Sequence, residues 1–177
     1  DESFIDFSDL GCAVTLVNHT RNLIVVKSMG KSLGWHGVRL GYAVAERRKA
    51  ETLRSGLPFW NINGLAAFVL KSVTNFKAEY FASFARVAED RHYMKKRFAD
   101  LPNLRVYPSK ANFLFVELPE GTSGRKLRDR LLENHGLMVR ECSNKIGSSE
   151  QYLRVAVQRP AAADALIEGL RSELASM

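Results

Sequence analysis

Cysteine is scarce in this chain: Cys12 and Cys142 are the only two in 177 residues, they form no CxxC, and the four histidines are not clustered. That argues against a disulfide framework and against a zinc site, and makes a reducing cytoplasm the expected location. Long apolar runs are also missing. None approaches the roughly 18 residues of a membrane span, so no membrane partner is expected. No stretch reads as a signal peptide, and no segment is repeated or of low complexity. A concentrated basic stripe is absent too. The net charge is +7, but the basic residues of 46–49 (ERRK) and 95–97 (KKR) sit among acids, as on solvated helix faces. Nucleic acid is therefore not an expected partner, whereas an anionic small molecule suits the sign of the charge. Methionine does not begin the chain. It opens on D-E-S-F-I-D-F, which reads like the end of a strand already under way, and a piece of a longer polypeptide is expected.

What is present is ordinary for a globular protein, with 46% hydrophobic and 25% charged residues. Residues 22–27 (NLIVVK) and 38–44 (VRLGYAV) predict two strands flanking a glycine-rich turn, as in an α/β sheet whose loop lines a site. A helix is predicted over 46–55 with Gly56 as its C-cap, and a second over 62–73 with Asn61 or Asn63 as its N-cap. From Asn75 the clearest helix begins. Phe76, Tyr80, Phe84, Val87, Met94 and Phe98 recur at three- and four-residue spacings, an apolar face of roughly 35 Å at about 1.5 Å per residue.

After Leu101-Pro102-Asn103 the pattern changes. Strands are predicted at 104–107, 111–118, 137–140 and 152–158. One helix is predicted over 124–134, stopped by Gly136, and a last helix has Pro160 at N1 with Leu166, Ile167, Leu170 and Leu174 inward. This β-α-β-β-α order suggests a compact α+β lobe.

Lys31, in S-M-G-K-S-L-G-W-H-G-V-R-L-G-Y (28–42), admits three chemistries. A P-loop needs a glycine five residues before Gly30, and that position is Val25 inside a predicted strand. An S-x-x-K acyl-enzyme needs companion S-D-N and K-T-G elements, which the chain does not contain. An imine-forming lysine needs partial desolvation or a nearby cation, an anchor for a cofactor phosphate, and an acid to keep a pyridine nitrogen protonated. Ser28 and Arg39 supply candidate anchors, with Gly37 and Gly41 permitting close backbone approach, and Asp1 is the candidate acid.

The 28–42 stretch resembles the lysine signature of class I/II pyridoxal-phosphate aminotransferases of fold type I. D-E-S-F-I-D-F resembles their D-E-[AS]-[FY]-x-[DE]-F segment, in the same order and spacing. The likeness continues through L-P-F-W-N-I-N-G-L-A-A, Y-P-S-K-A-N-F-L, L-M-V-R-E-C and Y-L-R-V-A-V, and so covers essentially the whole chain. Within the family it is most similar to histidinol-phosphate aminotransferases and to threonine-phosphate decarboxylases.

The resemblance implies an α/β fold class: the C-terminal part of the fold type I large domain plus an α+β small domain. Residues 1–88 would be the back half of the large domain, a helix over about 75–99 would join the domains, and 100–177 would be the small domain. Pyridoxal 5′-phosphate would be the cofactor. Lys31 would be its Schiff-base lysine and the general base, Asp1 the partner of the pyridine nitrogen, and Ser28 and Arg39 the phosphate anchors. Arg154 would grip the substrate carboxylate, whose planar shape suits a guanidinium, with Asn112 and Arg140 beside the substrate. Phe4 stands where many relatives carry a tyrosine that hydrogen-bonds the cofactor's 3′-oxygen, and the decarboxylase-like relatives share the phenylalanine. The substrate would be an amino acid or an amino phosphate, and the full-length protein a homodimer. The N-terminal half of the family's site has no counterpart here, so the fragment alone is expected to be inactive. A different class of reading, a non-catalytic binding or dimerisation module, is separated from this one by whether the chain takes up the cofactor.

Overall fold

A computed structural model describes residues 1–177. Two compact units divide it, Asp1–Phe84 and Ala85–Met177, and the division falls inside one long helix.

In the first unit, strand β1 (Ile24–Ser28) pairs antiparallel with β2 (Gly41–Ala45), in register from Ile24 opposite Ala45 to Ser28 opposite Gly41. Between them lies α1 (Met29–Ser32), a single turn, and a 3-10 turn at His36–Val38. The second strand therefore starts at Gly41 and not at Val38. The side chains of Val38 and Leu40 turn inward to a small core with Ala66 and Val69, and the intervening Arg39 takes a left-handed backbone (φ 55°, ψ 50°). Gly41 is required where the strands meet, because a Cβ there would lie 2.6 Å from the Lys27 carbonyl oxygen. Gly37 has open space around it, so only one of the two glycines serves close approach.

The opening residues run beside β1 only briefly before turning away. One ladder-type bond, from the Glu2 amide to the Val26 carbonyl (2.8 Å), lies beside β1. The Asp1 carboxylate then accepts the amide of Ser3, an Asx-type turn that diverts the chain into a 3-10 turn at Ile5–Phe7.

Helix α2 (Arg47–Ser55) is capped by the Glu46 side chain, which accepts from the Arg48 amide. Gly56 ends it in a right-handed conformation (φ −86°), not the left-handed one typical of glycine caps. Helix α3 (Gly64–Val73) starts two residues later than predicted. Asn63, not Asn61, is its cap, and its side chain also donates to the Val38 carbonyl. Helix α4 (Lys77–Phe98) follows a 3-10 turn at Thr74–Phe76.

The second unit is a four-stranded antiparallel sheet in the order β3 (Arg105–Val106), β4 (Phe113–Glu117), β6 (Tyr152–Ala156), β5 (Arg140–Glu141). With the two-residue β3 counted, the chain order is β-β-α-β-β-α, and α5 (Gly124–His135) and α6 (Pro160–Ala175) supply the helices. Period-two alternation puts Leu114, Val116, Leu153 and Val155 inside. They share one core with Leu127, Leu131, Ile167 and Leu170 and with Met94 and Phe98 of α4. Gly136, at φ 66°, closes α5 in the left-handed cap the sequence predicts.

Candidate functional site

In the first unit, the hairpin formed by β1, α1 and β2 presents Lys31. Its Nζ lies 5.2 Å from the centroid of the Phe4 ring, a cation–π contact, and it has no acid partner. Four residues earlier, Lys27 shows the opposite arrangement. Burial draws its pKa down, but the hydrogen bond and charge of Asp6, 2.5 Å away, outweigh this and leave it raised. One lysine of this turn is therefore committed to structure, and the other keeps its amine available.

Asp1 accepts two hydrogen bonds on Oδ1, from the Ser3 amide (2.8 Å) and the Ser3 hydroxyl (2.5 Å). Oδ2 accepts none within the chain. The Ser3 hydroxyl in turn accepts the Ser28 amide at 2.9 Å, which ties the Asp1 segment to the residue that starts the Lys31 turn. Ser28 leaves its own hydroxyl unbonded, since it makes no side-chain cap to α1. Arg39 is exposed, forms no ion pair, and is joined to the same turn through the bond from the Met29 amide to the Leu40 carbonyl (2.9 Å). A non-glycine residue at positive φ is uncommon and concentrates at functional sites.

Asp1, Phe4, Ser28, Lys31 and Arg39 thus belong to one hairpin and the segment tied to it, where Asp1 Oδ2, the Ser28 hydroxyl, the Lys31 amine and the Arg39 guanidinium form no hydrogen bond or ion pair. That donor set suits a phosphorylated pyridine aldehyde: an amine for the aldehyde, a carboxylate oxygen for a protonated ring nitrogen, and a hydroxyl and a guanidinium for a phosphate.

The remaining three predicted residues lie in the second unit. Arg154 on β6 and Arg140 on β5 are register partners, so both belong to the outer face of the sheet. Neither has a carboxylate partner, and the Arg154 guanidinium rests 5.1 Å from the Phe113 ring centroid. Two like charges directly opposed across a ladder are destabilising unless an anion joins them. Asn112 gives its backbone carbonyl to the Val157 amide (2.9 Å). The rest of this face is aromatic. Phe115 and Tyr152 stack with centroids 5.1 Å apart, and the Tyr107 hydroxyl donates to Glu117 at 2.7 Å. That bond pushes the Tyr107 pKa up to about 12.

Sequence reasoning did not find Ser3. A serine between a glutamate and a phenylalanine carries no periodic signal, and its partner Ser28 is 25 residues away. Nor did it find the left-handed backbone of Arg39, since the residue type favours no such conformation.

Comparison with known proteins places these features in a family. The chain matches the family "Aminotransferase class I and II" over residues 1–170. It is 32% identical to the L-serine phosphate decarboxylase of Sulfurospirillum multivorans, with 98% of this chain and 46% of that protein covered. It is also 32% identical to the histidinol-phosphate aminotransferase of Thermoanaerobacter pseudethanolicus, with 98% and 48% covered. Among solved structures, a decarboxylase from Sulfurospirillum multivorans superposes with a TM-score of 0.89 at 31% identity, over 98% of this chain and 51% of that one. The chain therefore spans about half the length of these relatives. The sequence motifs, the hairpin around Lys31 and these likenesses agree: the chain belongs to the class I and II aminotransferases, fold type I proteins whose cofactor is pyridoxal 5′-phosphate.

Proposed function

We propose that Lys31 binds pyridoxal 5′-phosphate covalently and that the complete protein transfers the amino group of an amino acid or amino phosphate. One observation carries this reading: the Lys31 amine has no acid partner and lies over Phe4, while the Asp1 carboxylate, tied through Ser3 to Ser28 at the start of the same turn, keeps one oxygen open. The cofactor, when bound, supplies an electron sink for the bonds at the substrate's α-carbon. The protein's own groups do the rest. Asp1 Oδ2 would pair with the cationic ring nitrogen, and Ser28 Oγ and the Arg39 guanidinium would hold the phosphate. Lys31 Nζ would serve as the general base for the α-proton. Arg154 would grip the substrate carboxylate with its planar guanidinium, and Arg140 and Asn112 are its proposed companions. The complete protein is a cytoplasmic homodimer in this reading.

A second reading, decarboxylation of a phosphorylated amino acid, is favoured by one residue. Phe4 packs against Lys31 where a hydroxyl-bearing side chain would donate a hydrogen bond, and the likeness to L-serine phosphate decarboxylase points the same way. Both readings share Lys31.

Added to the chain, the cofactor is expected to give the yellow absorbance of an imine, and borohydride reduction followed by peptide mass spectrometry should locate the adduct on Lys31. In Lys31→Ala both signals should vanish, and an adduct that persists in this variant overturns the assignment. The complete polypeptide, given L-serine phosphate, then separates the two reactions by release of carbon dioxide or formation of a 2-oxo product.

A further inference from the structure

We propose that Ser3 is a positioning residue that locks the Asp1 carboxylate to the Lys31 turn and leaves Oδ2 as its one open oxygen. The inference rests on the reading of Asp1 as the partner of the cofactor's ring nitrogen. Ser3 is 2% exposed, so its hydroxyl must satisfy itself within the protein. It does so on both sides. Its oxygen accepts the Ser28 amide at 2.9 Å, and its proton goes to Asp1 Oδ1 at 2.5 Å.

The chemistry fixes the direction of this chain. A backbone amide only donates, so the Ser3 oxygen must accept there and its single proton is left for Asp1. An ionised carboxylate only accepts, so the series Ser28 amide, Ser3 hydroxyl, Asp1 carboxylate is complete only when Oδ1 carries no proton. With the Ser3 amide also on Oδ1, two donors pin one oxygen and the other stays open. The link spans 25 residues and starts at the residue immediately before α1, so a shift of the Lys31 turn is felt at Asp1 and the reverse. Alanine at position 3 keeps the amide bond to Asp1 but removes the hydroxyl, which leaves the Ser28 amide without its acceptor and frees the carboxylate to rotate.

Two measurements test this. Amide hydrogen exchange followed by NMR on the 177-residue chain should show the Ser28 amide protected, and about ten-fold or more faster in Ser3→Ala, with β6 amides unchanged. With cofactor added, the pH profile of the visible absorbance should move in the same direction in Ser3→Ala as in Asp1→Asn. Ser3→Thr, which keeps the hydroxyl, should return the profile toward wild type. An unprotected Ser28 amide in the wild type overturns the proposal. So does a Ser3→Ala profile superimposed on wild type while that of Asp1→Asn moves. A profile unmoved by Asp1→Asn overturns the reading of Asp1 and this proposal with it. If the wild-type chain shows no band, the cofactor reading of the isolated chain fails, and the exchange result alone decides whether Ser3 couples Asp1 to the turn.

Discussion

Gly41 shows how a single position sets the geometry of the Lys31 hairpin. Its missing side chain lets β2 approach the Lys27 carbonyl, and a methyl group there would lie 2.6 Å from that oxygen. Gly41→Ala is expected to destabilise the chain by about 1–3 kcal/mol, the usual range for forcing an extra methyl into closed space. Urea unfolding of the two proteins, compared at equal slope, measures it. At this scale the sequence was informative where residue type carries the chemistry. Lys31 and Arg154 announce themselves by charge and motif, and the structure leaves both without an acid partner. It was silent where geometry decides. Ser3 acts through a partner 25 residues away, and nothing in an arginine's identity foretells the positive φ of Arg39.

At the scale of elements, helices were more legible than their ends. The α5–α6 pair followed from leucine spacing, Gly136 and Pro160, but the bond network between the helices did not. Glu173 on α6 is 4% exposed. It accepts from Asn134 (2.8 Å), faces the His135 ring (3.0 Å) and pairs with Arg130 (3.0 Å), all three on α5. The Asn134 bond, followed by His135 and Arg130, holds its pKa below the ordinary 4.5. A carboxylate with a lowered native pKa contributes stability in full above its unfolded value. That contribution is lost as pH falls through the native one. Glu173→Gln should therefore be less stable than wild type at neutral pH, and the gap should narrow as pH drops below 4.5. Thermal melts over pH 3–7, a range of about four units chosen to bracket that value, would check this. A gap that stays constant would assign Glu173 a packing role alone. Helix caps show the same limit of sequence reading: Asn61 and Asn63 are equivalent as letters, and only Asn63 has an amide, that of Ala66, in reach.

For the whole molecule, the apolar face predicted from Phe76 to Phe98 is unevenly covered. Met94 and Phe98 are buried, but Phe76, in the 3-10 turn before α4, is 58% exposed. Spacing identifies an apolar face, but what covers it depends on residues elsewhere, and this chain spans about half the length of its relatives. Phe59 and Trp60 are each 96% exposed, with Phe68 also open on α3. Exposed apolar area of this extent exceeds what a solitary domain usually shows. The isolated chain should therefore brighten a dye that reports apolar surface, and Phe59→Ser with Trp60→Ser should remove roughly half of that signal. An unchanged signal would place the sticky surface elsewhere.

The facing arginines of the second unit carry a last consequence. Strand β5 is only two residues long, lies at the sheet edge, and meets β6 with Arg140 opposite Arg154. Like charges opposed across so short a ladder weaken it, and an anion seated between the two guanidiniums would turn that repulsion into a clasp. Under the proposed role of Arg154 and Arg140, ligand capture and edge closure would be one equilibrium viewed from two sides, and the sheet would be most tightly zipped when holding an anion.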